Sequence, residues 1–412
     1  MLLYSAFCLL VGDMLFGYDT GSFGGVLANP FGVFNASTNK WAFNSLHTSQ
    51  LSSLPFIGKF LGCLVAGPAI EWIGHRGVFF ALSVVSFVGI IIEITAAGTS
   101  VGSGRLAQFI VGRTIVYISV GLVEVDVTDC SSFVVVSLQL FLNAGSIVAT
   151  GVNKAFSTTT DSLGWKVVTG IQFVYPVLII LFTFFIPSSP RWLISKDRDD
   201  EAIQAIRRLR PKGPGSEAAC AAEIHAIGEA LQEHVHKAPW FDLLRGSNFR
   251  RTMIVLVYYF YQQTTGQAFV STYQTTFYKT NGLADQAFTY PVISYCLSFL
   301  SVIPAMYTID RIGRRYSLMI TFSFQAFWIF LLAGLGGMAH KTASEKNMIV
   351  AAFMLYAFSY NMGGASIPYL LGSEIPNAAR REKTQGVGTA WNVVWAFVTN
   401  FVIPYMIYNI HF

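Results

Sequence analysis

The stretch Asp310-Arg311-Ile312-Gly313-Arg314-Arg315 lies between two long apolar segments, 288–309 and 316–338. Its charged side chains need water, so it must lie outside the hydrocarbon of a bilayer if the flanking segments lie within it. A weaker form of the same arrangement, residues 67–77, lies between two earlier apolar segments. The repetition predicts two related halves, each with a charged hairpin in the cytoplasm, an arrangement that is typical of a transporter.

The composition is that of an integral membrane protein. Of the 412 residues, 53% are hydrophobic, 15% aromatic and only 12% charged, and the mean hydropathy is +0.52. A helix that crosses a bilayer needs about 20 mainly apolar residues, and only helices and closed barrels satisfy every backbone amide in lipid. The apolar segments have this length and lack the alternation of strands. The sequence therefore predicts an all-α integral membrane protein.

Eleven segments have the length and composition of a membrane span. They are residues 2–27, 46–70, 78–97, 106–123, 133–152, 167–186, 253–278, 288–309, 316–338, 348–371 and 387–408. Most of the 27 Lys and Arg residues fall in loops on one side of these spans. Because cytoplasmic loops are enriched in Lys and Arg, we expect that side to be the cytoplasm, the amino terminus to lie on it, and the carboxyl terminus to lie outside.

A polar segment divides the spans into two groups. Parts of it, residues 199–210 and 217–237, combine helical periodicity with mixed charge. We predict an N-terminal helical bundle of six spans over residues 1–187, a cytoplasmic linker with short helices over residues 188–250, and a C-terminal bundle of five spans over residues 251–412.

Several classes of protein are disfavoured. The net charge of +5 comes from the cytoplasmic loops, which indicates topology and not a nucleic-acid partner. The five cysteines are scattered and mostly lie in apolar segments, so they predict neither a disulfide framework nor a metal site. The sequence contains no phosphate-binding loop and no arrangement of nucleophile, base and oxyanion donors. We expect no cofactor, no metal and no enzymatic activity.

Ionisable residues within spans are expensive in lipid and are functional candidates by default. Asp19 in the first span and Arg113 in the fourth are a predicted pair, because an aspartate next to an arginine stays ionised and takes up a proton when the two separate. Such a pair can couple protonation to conformation. The alternative is a fixed structural ion pair. Asp13, Lys59 and Glu93 also lie in spans, and for Asp13 and Lys59 we expect snorkelling or a position facing an internal cavity.

Neutral amides suit the recognition of a polyhydroxyl ligand, because each amide both donates and accepts hydrogen bonds. Gln263 and Gln267 are four residues apart on one helix face, and tyrosines lie near them in the sequence. The candidate ligand-binding residues are Gln139, Gln262, Gln263, Gln267, Tyr273, Tyr369 and Asn392. For any single amide, an interhelical hydrogen bond is an equally good interpretation, and an aromatic stripe is more often core packing.

Five motifs resemble the sugar porter family of the major facilitator superfamily, particularly its fungal members, in the family's order and over nearly the whole chain. They are Phe16-Gly17-Tyr18-Asp19-Thr20-Gly21, Pro187-Ser188-Ser189-Pro190-Arg191-Trp192-Leu193, Gln262-Gln263-Thr264-Thr265-Gly266, residues 310–315, and Gly372-Ser373-Glu374-Ile375-Pro376. The resemblance implies two six-helix bundles and alternating access. It also implies that Asp19 and Arg113 form the proton site and that Gln139, Gln262, Gln263 and Asn392 contact a sugar.

In the family, charged hairpins act as latches that close the cytoplasmic side. The resemblance assigns this role to Glu71, Arg76, Asp310, Arg311, Arg314, Arg315, Glu374 and Arg381. The early latch departs from the family pattern, since Glu71 and Trp72 replace its acidic and basic pair and His75 replaces an arginine. Ala268 replaces the asparagine that follows the double glutamine, which shifts sugar contacts toward Gln267.

Two further departures concern length. The loop over residues 124–132 lacks the family's latch there and is shorter than the family pattern, and the twelfth helix has no counterpart before Phe412. We expect a plasma-membrane sugar transporter, with proton-coupled uptake of a hexose or α-glucoside as the first hypothesis. The alternatives are a facilitative uniporter, disfavoured by Asp19, a sugar sensor, disfavoured by the short cytoplasmic tail, and an inactive truncated product.

Overall fold

The computed structural model describes residues 2–28, 34–35, 40–41, 45–96, 103–125, 132–157, 163–185, 188–209, 243, 245–338, 341–377 and 381–409. Nearly all of these residues are helical, and two-residue strands, β1 (Phe34–Asn35) and β2 (Lys40–Trp41), form an antiparallel pair. The prediction of an all-α fold is confirmed. The short loop at residues 126–131 and the predicted helix at 217–237 lie outside the described residues.

The N-terminal half of the chain contains helices α1 to α7. They are α1 (Leu2–Ala28), α2 (Ser45–Ser53), α3 (Pro55–Thr95), α4 (Ser103–Val125), α5 (Ser132–Ala155), α6 (Leu163–Ile171) and α7 (Val174–Thr183). Two short helices follow, α8 (Pro190–Ile194) and α9 (Asp199–Leu209). The second of these agrees with the helix predicted from residue 199 in the linker.

The C-terminal half contains helices α10 to α17 and two irregular turns. The helices are α10 (Gly246–Thr264), α11 (Gln267–Thr272), α12 (Gln274–Thr280), α13 (Thr289–Ile312), α14 (Arg314–Gly336), α15 (Ala343–Ser359), α16 (Ile367–Glu374) and α17 (Arg381–Asn409). A 3-10 turn covers Ala284–Gln286, and a π-helical segment covers Tyr360–Gly364.

Both charged hairpins turn at a glycine. Gly74 has φ 71° and ψ 166°, and Gly313 has φ 87° and ψ 153°. A side chain disfavours this backbone region, so glycine is the residue that permits such turns. Gly74 interrupts α3, whose 41 residues would otherwise measure about 60 Å, twice the thickness of the hydrocarbon. The α3 segment is therefore two helices joined at the hairpin.

Large apolar side chains cover the outer surface of the helices. Leu64, Ile303, Phe327 and Phe330 are more than half exposed. Among the described residues, eight helices are long and apolar enough to cross a membrane, and one of them, Ser45–Thr95, includes the Gly74 interruption. This count does not confirm the predicted eleven spans, which remain a prediction.

Glycines allow the helices of the N-terminal half to pack closely. A Cβ atom built on Gly17 of α1 would lie 1.9 Å from the carbonyl oxygen of Leu142 in α5. The same separation is found between Gly58 of α3 and the carbonyl oxygen of Thr114 in α4. Small residues at such positions let helices in a membrane gain van der Waals contact, because hydrophobic attraction between helices is weak there.

The two halves contact each other on both sides of the molecular centre. On the predicted external side, the Tyr273 hydroxyl donates to Ser52 Oγ at 2.8 Å, and Ser49 Oγ donates to the Phe401 carbonyl oxygen at 2.9 Å. Toward the predicted cytoplasmic side, one apolar core cluster contains Val135 of α5 and Val302 of α13. These contacts enclose a central space between the halves.

Candidate functional site

Asp19 and Arg113 are paired inside the N-terminal half. Arg113 Nη2 on α4 lies 2.6 Å from Asp19 Oδ2 on α1, and the two side chains are only 3% and 2% exposed. Arg113 Nε also donates to both oxygens of the Asp19 carboxylate, at 3.3 and 3.2 Å. Contacts from two nitrogens of a guanidinium fix its orientation as well as its charge. The structure thus brings together the two residues that the sequence predicts as a pair.

Arg113 has partners besides Asp19. Its Nη1 donates to the Leu51 carbonyl oxygen at 3.2 Å, and its Nη2 donates to the Tyr117 hydroxyl at 3.2 Å. The guanidinium carbon also lies 3.6 Å from the centre of the Phe23 ring, where the electron-rich face attracts a cation. Arg113 would therefore keep polar partners if Asp19 lost its charge.

Two polar residues complete the surroundings of the pair. Gln172, which lies between α6 and α7, donates from Nε2 to Asp19 Oδ1 at 3.3 Å. Glu93 of α3 is 1% exposed and packs against Gly112, the residue before Arg113. Glu93 Oε1 is buried and has no hydrogen-bond partner among the described residues. The site therefore holds two carboxyl groups for one guanidinium.

Three of the predicted amides form one hydrogen-bonded group in the C-terminal half. Gln263 Nε2 on α10 donates to Asn392 Oδ1 on α17 at 3.0 Å, and Asn392 Nδ2 donates to Gln262 Oε1 at 2.8 Å. Gln262 Nε2 donates in turn to the Ala365 carbonyl oxygen at 2.7 Å. The group ties α10 and α17 together and faces the central space.

A fourth predicted amide, Gln139, bonds across the halves. Gln139 Nε2 on α5 donates to Asn361 Oδ1 at 2.9 Å, and Asn143 Nδ2, one turn further along α5, donates to the same oxygen at 2.8 Å. Asn361 belongs to the π-helical segment of the C-terminal half. The segment thus presents one amide oxygen to two donors from the other half.

The amides and Arg113 line a common central cavity of about 180 Å³. Side chains from both halves line it, and they include Asp13, Phe16, Lys59, Arg113, Tyr117, Glu124, Gln139, Asn143, Gln262, Gln263, Gln267, Ser294, Asn361, Tyr369 and Asn392. Asp19 lies behind Arg113 and does not belong to the lining. A cavity between two halves, rich in groups that donate and accept, can hold a small polyhydroxyl molecule.

The two predicted tyrosines lie in different places. Tyr369 lines the cavity, and its hydroxyl donates to Glu124 Oε1 across the halves at 3.4 Å. Tyr273 is 2% exposed and is not part of the lining, because its hydroxyl is directed to Ser52 in the external contact between the halves. Gln267 also lines the cavity. The predicted single helix face shared with Gln263 is wrong, because Gly266, with φ 99°, ends α10 and Gln267 begins α11.

Lys59 and Asp13 face the cavity and do not snorkel. Lys59 Nζ lies 2.6 Å from Glu124 Oε1, the two side chains are 5% and 9% exposed, and the ammonium also lies 4.2 Å from the centre of the Phe16 ring. Asp13 is 8% exposed and lines the same cavity. A lysine that snorkels extends its ammonium to the water at the membrane surface, whereas the Lys59 ammonium is paired with the Glu124 carboxylate in the interior.

The predicted latch residues of the second hairpin form an ion-pair group. Arg314 Nη2 lies 2.8 Å from Glu374 Oε1, and Arg314 Nη1 lies 3.0 Å from Asp310 Oδ1. Arg311 lies over the Tyr307 ring, with 4.7 Å between the guanidinium carbon and the ring centre. All of these contacts lie within the C-terminal half. Arg315 is exposed, and Arg381 begins α17.

The first hairpin is held by a different contact. Trp192 of α8 donates from Nε1 to the Glu71 carbonyl oxygen at 3.2 Å, and its ring lies against Gly74. Arg76 lies beside Trp192 in a shallow surface pocket. The chain segment after the sixth predicted span therefore packs on the hairpin between the second and third.

Sequence reasoning did not single out Asn143, Gln172 or Asn361. The same signal that selected Gln139, an amide within an apolar span, applies to all three, and Asn143 follows Gln139 by one helical turn. The sequence predicts Glu124 in the loop after the fourth span, whereas α4 continues to Val125 and buries it.

The sequence matches the sugar (and other) transporter family over residues 5–412. It is 26% identical to the major facilitator-type transporter ecdD of Aspergillus rugulosus, over 96% of this chain and 76% of that protein. It is 28% identical to the maltose permease MAL31 of Saccharomyces cerevisiae, over 96% of this chain and 67% of that protein. It is 26% identical to the high-affinity glucose transporter ght2 of Schizosaccharomyces pombe, over 97% of this chain and 78% of that protein.

The fold is similar to that of solved transporters. A structure of the proton:xylose symporter XylE bound to 6-bromo-6-deoxy-D-glucose superposes with a TM-score of 0.79 at 19% identity, over all of this chain and 90% of that one. A partially occluded inward-open structure of XylE from E. coli has a TM-score of 0.78 at 17% identity, over 98% of this chain and 91% of that one.

The chain belongs to the sugar (and other) transporter family. It is a multi-pass integral membrane protein with the helical fold of the major facilitator superfamily. The family and the fold are those of transporters and not of enzymes.

Proposed function

We propose that this protein carries a hexose or an α-glucoside across the plasma membrane together with a proton, by alternating access. The observation that carries the proposal is the arrangement around Arg113, which binds Asp19 on one side and lines the amide-rich cavity on the other. A change of charge on Asp19 would thus be transmitted to the cavity wall through one side chain.

In this mechanism, Asp19 is the proton acceptor and Arg113 responds to its state. A proton that binds to Asp19 Oδ2 neutralises the carboxylate and weakens its attraction for the guanidinium. Arg113 then redistributes toward Tyr117 and the Leu51 carbonyl oxygen, which already accept from it. Proton and sugar together shift the populations of two conformations by binding one of them more tightly.

The amides are the proposed sugar ligands. Gln262, Gln263 and Asn392 offer one preorganised set, and Gln139 offers a donor that now bonds to Asn361. Sugar hydroxyls can replace these interamide bonds one for one, because a hydroxyl both donates and accepts. A ligand between Gln139 and Asn361 would therefore bind both halves at once and favour their closure around it.

The charged hairpins are proposed to stabilise the closed cytoplasmic side. Arg314, Asp310 and Glu374 already form an ion-pair group next to the end of α16. Arg311 and Arg315 belong to the same hairpin, and Arg381, at the start of α17, is assigned the same role. Glu71 and Arg76 would act in the same way in the first hairpin. The proposed units are the two bundles over residues 1–187 and 251–412, with the linker over residues 188–250 between them.

The available driving force suits concentrative uptake. A membrane potential of ~100 mV supplies about 2.3 kcal/mol per charge, and each pH unit supplies about 1.4 kcal/mol. With a gradient of about two pH units, one coupled proton therefore supplies about 5 kcal/mol, which supports roughly a thousandfold accumulation or more.

The test compares Asp19→Asn with Asp285→Asn in transport-null cells given labelled glucose or maltose. Asp285 is exposed in the 3-10 turn after α12, so its amide variant is a matched control. We expect Asp19→Asn to lose accumulation but retain counterflow, and Asp285→Asn to behave as the wild type. Concentrative uptake by Asp19→Asn would refute the proton-coupling role.

A protonophore distinguishes the other functions. If the wild type takes up sugar only until the inside and outside concentrations are equal, both with and without protonophore, the protein is a facilitative uniporter. Binding of sugar without uptake or counterflow would indicate a sensor, and loss of both binding and uptake would indicate an inactive product.

A further inference from the structure

A second group of buried charges lies in the cavity wall, apart from the Asp19 pair. It consists of Asp13 on α1, Lys59 on α3 and Glu124 on α4, each of which is less than a tenth exposed. Lys59 Nζ and Glu124 Oε1 are 2.6 Å apart, and Asp13 lies within electrostatic range of both. We call these three residues the lower charge cluster.

The lower charge cluster holds more acid than base. Two carboxyl groups share one ammonium, and Glu124 Oε2 is buried with no hydrogen-bond partner among the described residues. An ionised carboxylate without a partner is very unfavourable in a buried site, so a buried acid in excess binds a cation or a proton. The unpaired Glu124 Oε2 is therefore a position at which a cation or a proton can bind.

A proton fits this site better than a metal ion. Within the part of the chain that the structure describes, no three His, Cys, Asp or Glu side chains converge to hold a metal. Among the described residues, the other ionisable groups near the cluster are Cys63 on α3, Tyr259 on α10 and Tyr369 on α16, none of which is basic. Of the helices packed along α1, α5 carries Lys154 only in its last turn, and α7 contributes Tyr175, which packs on Tyr18.

The cluster is connected to both the proton pair and the other half. Tyr117 accepts from Arg113, and the Tyr117 ring lies 5.8 Å from the Phe16 ring, on which Lys59 is placed. On the other side, Glu124 Oε1 accepts from the Tyr369 hydroxyl of the C-terminal half. A change of charge at Glu124 therefore acts directly on a contact between the halves.

Tyr369 also connects the cluster to the amides. Its ring lies 5.3 Å from that of Tyr259, whose carbonyl oxygen accepts from Asn392 Nδ2 at 3.5 Å. The cluster is therefore placed where it can respond both to the occupancy of the amide group and to the closure of the halves.

We propose that the lower charge cluster is a second proton-binding site, and that a second proton moves with each sugar. The proton binds to a carboxyl oxygen of Asp13 or Glu124 when the cavity opens outward, and the O–H bond breaks when the cavity opens to the cytoplasm. No electrons move, and the membrane proton gradient supplies the proton. This inference rests on the proposed proton-coupled sugar transport.

The test measures the steady-state accumulation of labelled glucose or maltose by purified protein in liposomes. The membrane voltage is held at zero and a gradient of about one pH unit is imposed, so that each coupled proton supports about a tenfold accumulation. We expect about a hundredfold accumulation for the wild type and about tenfold for Asp13→Asn. Asp285→Asn is the surface control and should match the wild type.

The outcomes separate this inference from the proposed function. Tenfold accumulation by the wild type, unchanged in Asp13→Asn, would overturn the second site and leave the symporter proposal standing. Counterflow without any accumulation by the wild type would overturn both. If Asp13→Asn does not fold, Asp13→Ser and the ratio of proton to sugar flux in the wild type decide the question. An accumulation that changes when potassium replaces sodium would assign the cluster to an alkali cation and overturn the proton assignment.

Discussion

Arg113 is held by more contacts than charge compensation alone requires. It bonds to Asp19, to the Leu51 carbonyl oxygen and to the Tyr117 hydroxyl, and it lies on the Phe23 ring. A planar guanidinium can serve several partners in one plane, whereas a lysine ammonium acts as a point charge on a flexible stem. The site therefore needs the geometry of arginine and not only its charge.

We expect Arg113→Lys to reduce the initial rate of sugar uptake about tenfold or more. The substitution keeps the positive charge but loses at least one hydrogen bond to a charged group, which contributes about 1.5–3 kcal/mol. The measurement is uptake normalised to protein at the cell surface. The control is Arg198→Lys, because Arg198 forms an exposed pair with Glu201, 49% and 52% exposed, and exposed pairs contribute little. Equal rates for both variants would contradict the geometric role.

The sequence identifies some of the ionisable residues that are buried in the spans, but it does not identify all of their charge partners. An ionisable group in an apolar span must have a compensating partner, so Asp19 and Arg113 predict each other. Glu124 escapes the same argument, because its helix continues two residues beyond the predicted end of the span at residue 123. The ends of spans are set by packing against neighbours such as Lys59, and the local composition does not contain that information.

Irregular turns within helices place several of the cavity residues. The π-helical segment Tyr360–Gly364 brings Asn361 toward α5. Gly266, with φ 99°, separates α10 from α11 three residues after Gln263. Periodicity predicts a helix over both regions and has no signal for one extra residue per turn. The sequence therefore predicts the amides that lie on regular helix but does not predict Asn361.

Close helix packing at glycines gives a prediction for α1 and α5. A Cβ atom on Gly17 would lie 1.9 Å from the Leu142 carbonyl oxygen, so Gly17→Ala must push the two backbones apart. We expect a loss of about 1–3 kcal/mol of stability, the usual range for overpacking. The matched control is Gly151→Ala in α5, where nothing lies within 4 Å of the new methyl group.

Thermal unfolding in detergent is the measurement for this pair. Gly151→Ala should be neutral or slightly stabilising, since alanine is favoured over glycine in a helix by about 1 kcal/mol. If both variants melted at the temperature of the wild type, the two helices would not be in the close contact that the structure shows.

At the scale of the whole molecule, separate polar contacts join the two halves. Tyr273 bonds to Ser52 on the predicted external side, Gln139 and Asn143 bond to Asn361 beside the cavity, and Tyr369 bonds to Glu124. Each contact is a single neutral or charged hydrogen bond, worth about 0.5–1.5 kcal/mol when neutral. Contacts this weak can break and re-form during a transport cycle, and removing one should shift the population of open forms measurably.

We expect Tyr273→Phe to favour the form that is open to the outside. The substitution keeps the buried ring and removes the hydroxyl that donates to Ser52, so it weakens the external closure by about 1 kcal/mol, or roughly a fivefold change in the population ratio.

Ser294→Cys, in a background without other cysteines, places a thiol in the cavity wall where its labelling by a membrane-impermeant reagent reports external access. Labelling should be roughly fivefold faster with Tyr273→Phe. Tyr261→Phe, which removes the hydroxyl of a tyrosine that is 51% exposed, should leave the rate unchanged. Equal labelling rates in the two tyrosine variants would mean that the Tyr273 hydroxyl does not hold the external side closed.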